Sequence, residues 1–167
     1  MAIAQPAELE PMVSDPDDYR PRSRWRLVAD PGGPAGAVQD LCLIVEEIAV
    51  GDLIPLHRHS TDEMMVILGG RAEVTLAEER LEMGAGGTLF VPKKAVHGLR
   101  NVGEGPLTIH AVFPTVMLDF QRLGRNAAPG TESKAPSHTM HDAVTGDVWE
   151  VTDEISEPAP GPSPLEG

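Results

Sequence analysis

The sequence predicts an all-β fold. From Val38 to Met117, short runs rich in β-branched and aliphatic residues alternate with turn residues: "VQDLCLIVEEIAV", "MMVILGG", "RAEVTLA", "RLEMGAGG", "TLFVP", "VHGLRNV" and "LTIHAVF". Short strands spaced closely by turn signals mark a sandwich or barrel. No stretch carries a convincing 3.6-residue period. Nor does the chain repeat itself at the ~20–50-residue periods of solenoids and propellers.

Taken in order, residues 1–23 are rich in proline and acid ("PAELEPMVSDPDDYRPR") and read as a largely irregular N-terminal arm. "SRWRLV" reads as a short first strand, and "DPGGPAGA" as a glycine and proline loop. Residues 24–118 then form the expected barrel domain. After Phe113-Pro114 the pattern weakens, and "TVMLDFQRLGR" suits either a last strand or a short helix. From Asn126 the chain is polar and loop-like, with "GDVWEV" as one further strand candidate. Residues 119–167 are therefore read as an irregular C-terminal extension. Its end, "EPAPGPSPLEG", is low in complexity and expected to be disordered, and the acids from Asp147 onward read as a solvated tail.

Composition narrows the partners. Thirteen basic residues against twenty-six acidic ones give a net charge of −13. Such a chain repels phosphate backbones and anionic lipid, so neither nucleic acid nor a membrane surface is expected as a partner. The start, "MAIAQPAELEPMV", has no basic segment followed by an apolar one, and no run approaches the ~20 apolar residues of a membrane span. The single cysteine, Cys42, excludes an intrachain disulfide and fits a cytoplasmic protein. Set in "LCLIV", it reads as a packed strand residue.

The chemistry sits in "HRHSTDEMMVILGG", His57 to Gly70. Side chains i and i+2 on a strand share a face, so His57 and His59 point the same way. A hairpin through "STD" would bring Glu63, at the start of the next strand, beside them. Two imidazoles and a carboxylate suit a divalent first-row transition metal. An HxH pair alone is more often exposed or structural, but a further histidine, His97, follows a strand, a proline and a turn in "GGTLFVPKKAVHGLRN". Three imidazoles and one carboxylate leave open positions on a six-coordinate ion, the mark of a reactive metal.

The spacing of these residues resembles the cupin superfamily. From Gly51 the chain reads Gly, five residues, His57, one residue, His59, three residues, Glu63, six residues, Gly70. From Gly86 it reads Gly, five residues, Pro92, four residues, His97, three residues, Asn101. These are similar to the two cupin motifs, separated by the fifteen residues Arg71–Ala85 as in small bacterial single-domain cupins. The one departure is Lys94, where the family usually carries glycine. If that position needs positive φ, lysine costs roughly 1–2 kcal/mol there. The resemblance implies a double-stranded β-helix, a jelly-roll-like antiparallel barrel, and one divalent metal per chain held by His57, His59, Glu63 and His97. Iron, manganese or zinc lead, with nickel, copper and cobalt also compatible. Family habit further implies a homodimer. Asn101 reads as a structural hydrogen-bonding residue.

Strand parity turns Met65, Ile67 and Leu99 inward and puts His110 on the opposite face from Ile109. The expected cavity is apolar, with few acid–base groups beside the metal. Lys93 and Lys94 read as solvated turn residues, and His138 and His141, in "SHTMH", as part of a loop. The leading functional expectation is a metal-dependent dioxygenase acting on a small organic substrate, with Glu63 as a base. The alternatives are an oxygen-independent isomerase, decarboxylase or lyase, favoured by a polar pocket with a second carboxylate or a lysine near the metal, and a non-catalytic small-molecule-binding cupin. The barrel holds no tyrosine, since Tyr19 lies in the arm, which argues against a lyase that uses a tyrosinate base.

Overall fold

The computed structural model describes residues 8–152, and the expectation of a disordered end at 157–167 lies outside them. The described residues form strands and no helix. In chain order these are β1 (Glu10–Met12), β2 (Arg20–Ala29), β3 (Cys42–Ile48), β4 (Leu53–Arg58), β5 (Glu63–Gly69), β6 (Arg71–Leu76) and β7 (Glu79–Gly84). They continue with β8 (Thr88–Val91), β9 (His97–Asn101), β10 (Leu107–Phe113), β11 (Met117–Arg122), β12 (His138–Asp142) and β13 (Val148–Glu150). The strands make two antiparallel sheets, ordered β1-β2-β3-β10-β5-β8 and β13-β12-β11-β4-β9-β6-β7.

Alternation decides what each strand buries. In β3 and β10 every second residue is buried, so Cys42, Ile44 and Ile48 meet Leu107, Ile109, Ala111 and Phe113 in one core. Met65, Ile67, Val74 and Leu99 complete it from β5, β6 and β9, as parity predicts. His110 faces away from this core. Cys42 is 2% exposed, and burial pushes its thiol pKa up to about 11, so it packs as a hydrophobe.

The turns carry the backbone strain. Gly51, Gly70 and Gly86 all have positive φ. Gly70 is the tightest: a Cβ there would lie 2.7 Å from the Pro106 carbonyl oxygen and 2.8 Å from Leu107 Cα. Lys94 adopts φ +67°, so the turn keeps its left-handed form without glycine. Its N–H donates to the His59 carbonyl at 2.7 Å, and its side chain is exposed, as expected of a solvated turn residue. Asn101 is 1% exposed; its amide donates to Ile48 O and Gly105 O, and its Oδ1 accepts from Gly103 N–H.

The flanks correct the sequence reading. The N-terminal arm contributes β1 and the start of β2, and β12 is a strand where a loop was expected, while β11 and β13 fall on the two strand candidates read after the barrel. "TVMLDFQRLGR" is a strand, not a helix. Buried charge ties the arm down. Arg20, 3% exposed, donates twice to Asp18 at 2.7 Å and reaches Glu46 on β3 at 3.2 Å. Asp17 pairs with Arg125 and accepts from Ser137 N–H at 2.7 Å, while Asp15 pairs with Arg122. Composition suggested a largely irregular arm, but its acids Asp15, Asp17 and Asp18 meet buried arginines.

Candidate metal centre and its cavity

β4, β5 and β9 bring the four predicted side chains together. His57 and His97 are register partners across β4 and β9, so their side chains share the interior face. His59 stands just past β4, two residues on, and Glu63 opens β5. All four are buried, and one potential ligand atom from each lies within 4.8 Å of the others, so the group could hold a metal ion.

The tautomers are set by the main chain. Nδ1 of His57 faces Pro55 O at 2.8 Å, Nδ1 of His97 faces Ala95 O at 3.0 Å, and Nδ1 of His59 faces Asp119 O. A carbonyl only accepts, so each Nδ1 carries the hydrogen and each Nε2 presents a lone pair. Orienting a metal-binding imidazole through its other nitrogen in this way is common in metal sites. Nε2 of His59, Nε2 of His97 and Oε2 of Glu63 are buried with no hydrogen-bond partner. Yet Glu63 Oε2 lies 2.7 Å from Nε2 of His97 and 3.6 Å from Nε2 of His59. Acceptors facing each other at such range repel unless a cation, a proton or a metal ion, stands between them. Metal–ligand bonds of ~2.0–2.2 Å place neighbouring donors about 3 Å apart, so these residues fit a bound ion.

Electrostatics keep two of the imidazoles neutral. Burial, then the charges of His97 and His59, hold the His57 pKa well below its usual value. Burial also lowers that of His59, against the pull of Glu63. Burial works the same way on His97, but the adjacent Glu63 carboxylate outweighs it and raises the pKa. A neutral imidazole is the form that ligates.

A cavity of about 570 Å³ adjoins this cluster. Phe120 links the two: its ring lies 4.9 Å from that of His59 and it lines the cavity, whereas none of the four cluster residues does. The walls come from the flanking strands. β11 is in register with β4 at Arg122 and His57, which turns Arg122 inward beside the cluster. Arg122 donates to Asp15 and to Thr139 Oγ1, and its guanidinium sits 5.3 Å from the Phe120 ring centre. Glu46, 7% exposed and on the core face of β3, lines the same space. The expected apolar cavity is thus corrected: the wall carries several carboxylates, Glu46 among them, the guanidinium groups of Arg26 and Arg122, and the imidazole of His141.

Other candidates lie elsewhere. Lys93 and Lys94 do not line the cavity, and neither does Tyr19. His138 and His141 belong to strand β12, not to a loop, and their i, i+3 spacing sends them to opposite faces. His138 Nε2 approaches Asp119 Oδ2 at 3.4 Å, and His141 bonds Thr139. Sequence reasoning missed Asp119. Its carbonyl orients His59, and its carboxylate accepts from the N–H and hydroxyl of Ser60 at 2.8 and 2.7 Å. That residue lies sixty positions from His59, so no local pattern marks it.

Comparison with known proteins agrees with this geometry. The cupin-domain family model matches residues 44–113. An uncharacterized protein of Methanocaldococcus jannaschii, MJ1618, is 40% identical over 63 residues, covering 37% of this chain and 50% of that one. The dimethylsulfoniopropionate lyase DddW of Ruegeria pomeroyi is 32% identical over 99 residues, covering 59% of this chain and 64% of the lyase. The chain therefore spans one half to two thirds of the length of these curated relatives. Among solved structures, the Schizosaccharomyces pombe Cnp3 cupin domain superposes with a TM-score of 0.51 at 17% identity, covering 65% of this chain and 69% of that one. Two turn-bounded motifs, an antiparallel two-sheet barrel and four converging buried side chains thus accompany a cupin-domain match that spans residues 44–113, and the fold is that of the cupin structures it superposes on.

Proposed function

We propose that this protein is a mononuclear metal-dependent enzyme that transforms a small organic substrate without consuming oxygen, as an isomerase, decarboxylase or lyase. The observation that carries this reading is Glu46, a second buried carboxylate facing the cavity beside the four-residue cluster. His57, His59, Glu63 and His97 would hold a divalent ion. Such a metal would supply Lewis acidity toward the substrate. The protein's part is proton transfer. Burial raises the Glu46 pKa above the usual carboxylate value, Arg20 opposes the rise, and Asp18 and Glu63 add to it, which favours a proton on this side chain. Arg20 holds Asp18 at 2.7 Å but Glu46 only at 3.2 Å, which leaves the Glu46 oxygens able to take a hydrogen. DddW, a lyase, supports an oxygen-independent reaction. The base is not a tyrosinate, since Tyr19 is the only tyrosine and does not line the cavity.

A dioxygenase with Glu63 as base is the second reading. It is favoured by the aromatic side of the site, where Phe113 and Phe120 pack against His59 with ring centres 5.1 and 4.9 Å away. Turnover of iron-, manganese- and zinc-loaded protein against hydroxy and keto acids, β-diketones, catechols and flavonols, with and without oxygen, separates the two. The first reading expects anaerobic turnover, lowered ~10²–10⁴-fold by Glu46→Gln with metal content unchanged. Turnover that stops when oxygen is removed would overturn it. The same preparation, analysed for metal by elemental analysis and for mass by sedimentation, tests the proposed ion and the proposed homodimer.

A further inference from the structure

The cavity walls carry two cross-strand rows. On one sheet, Glu10 is in register with Trp25, and Trp25 with Glu46. On the other, Glu150 is in register with Thr139, and Thr139 with Phe120. Register partners in antiparallel strands point to the same face, and all six residues line the cavity. The half-buried indole of Trp25 is thus bracketed by carboxylates from both neighbouring strands. The opposite wall repeats the arrangement in part: a carboxylate at the lip, Glu150, and an aromatic ring deeper in, Phe120. β1 and β13 end their respective sheets, so Glu10 and Glu150 stand at the two edges of the mouth.

Charge on these walls is unbalanced. Asp15 is matched by Arg122 and Glu46 by Arg20; beyond these the lining carries Glu10, Asp142, Asp147 and Glu150 against Arg26, and both lip carboxylates, Glu10 and Glu150, are exposed and lie outside the ion pairs of the described residues. An anion entering here meets like charge. A neutral ligand gains nothing from the carboxylates. A cation with an apolar body gains from the carboxylates and from the faces of Trp25 and Phe120 together.

We infer that the ligand of this cavity is a small organic cation of the quaternary-ammonium type, seated on Trp25 between Glu10 and Glu46. The inference deepens the proposed function, since it rests on this cavity serving the metal centre.

The chain has two tryptophans, and both line the cavity, Trp149 on β13 in register with Met140 and not with the Thr139 row. A Trp149→Phe protein therefore leaves Trp25 as the only tryptophan reporter. The probes are choline, its uncharged isostere 3,3-dimethyl-1-butanol, and the anion 3,3-dimethylbutanoate. Choline is expected to change Trp25 emission saturably and to bind about tenfold more tightly than the alcohol, the scale of a partly desolvated cation–aromatic contact. The butanoate should give no saturable change. Glu10→Gln and Glu150→Gln should each weaken choline several-fold without moving the alcohol. Calorimetric titration of the unsubstituted protein repeats the ranking independently of any variant. Equal binding of choline and the alcohol, tighter binding of the anion, or no saturable binding of any probe overturns the inference. Metal content is measured separately on the same preparations, before and after chelation. A choline site in protein that takes up no metal would sink the enzymatic reading and leave this one standing, and metal uptake without choline binding would do the reverse.

Discussion

The four-residue cluster and the cavity wall beside it are built by opposite means. The cluster is assembled from neighbours in sequence: His57 and His59 share a face by strand parity, Glu63 follows one turn later, and main-chain carbonyls fix the rings. The wall is assembled from the flanks on either side of the barrel, through buried pairs such as Arg20 with Glu46 and Arg122 with Asp15. The difference teaches where each property is encoded. Reactivity toward a metal is written locally, within two short motifs. Shape and charge of the adjoining space are written across the whole chain.

Separating the two regions by mutation tests this division. The largest effect is expected at Arg20→Met, which leaves Asp18 and Glu46 buried without their cation. Breaking such a pair costs about 3–5 kcal/mol. Urea denaturation should show that loss, while metal stoichiometry of the protein still folded stays unchanged. Loss of metal along with stability would show that wall and cluster are one unit. Next comes Gly70→Ala, in the turn that closes the first motif. Positive φ and the close approach of Pro106 O together cost about 2–4 kcal/mol, read as a lower urea midpoint.

The third test uses pH. Burial, then the charges of Arg122 and His59, lower the His141 pKa from 6.5 to about 4. The unfolded chain binds that proton first as pH falls, so stability is lost from about pH 6.5 downward and the loss saturates below about pH 4. Between pH 7 and pH 5 this single group accounts for ~2 kcal/mol, which His141→Gln should remove from the pH dependence of unfolding. An unchanged pH profile in that variant would place the titration elsewhere. The smallest effect is a gain. Lys94→Gly relieves a left-handed lysine and should stabilise by about 0.5–1 kcal/mol after allowing for the added freedom of glycine when unfolded. Thermal melting reads it as a modest rise in midpoint.

These contrasts also explain what the sequence could disclose. Strand parity and turn glycines act over a few residues, so the inward faces of β5 and β10, the glycine turns and the four ligand candidates were legible. Asp119 was not, because the carbonyl that orients His59 comes from a strand sixty residues away. Nor was the arm. Its prolines and acids have the composition of an irregular segment, and only the arrangement in space shows that Asp15, Asp17 and Asp18 each meet an arginine. The cavity was expected to be apolar because nothing in the sequence singled out Glu46 from the adjacent Glu47, yet strand alternation buries Glu46 and leaves Glu47 less buried. The HxxH of β12 misleads in a different way, since its spacing joins two histidines on a helix and separates them on a strand.

The mouth of the cavity lies between the outermost strand of each sheet, β1 and β13, and both belong to segments outside the matched residues 44–113. Selectivity and reactivity can therefore diverge independently in descendants of such a chain. Exchanging the segments before and after the matched barrel residues for those of a cupin relative would recast what enters, while the four-residue cluster is inherited intact.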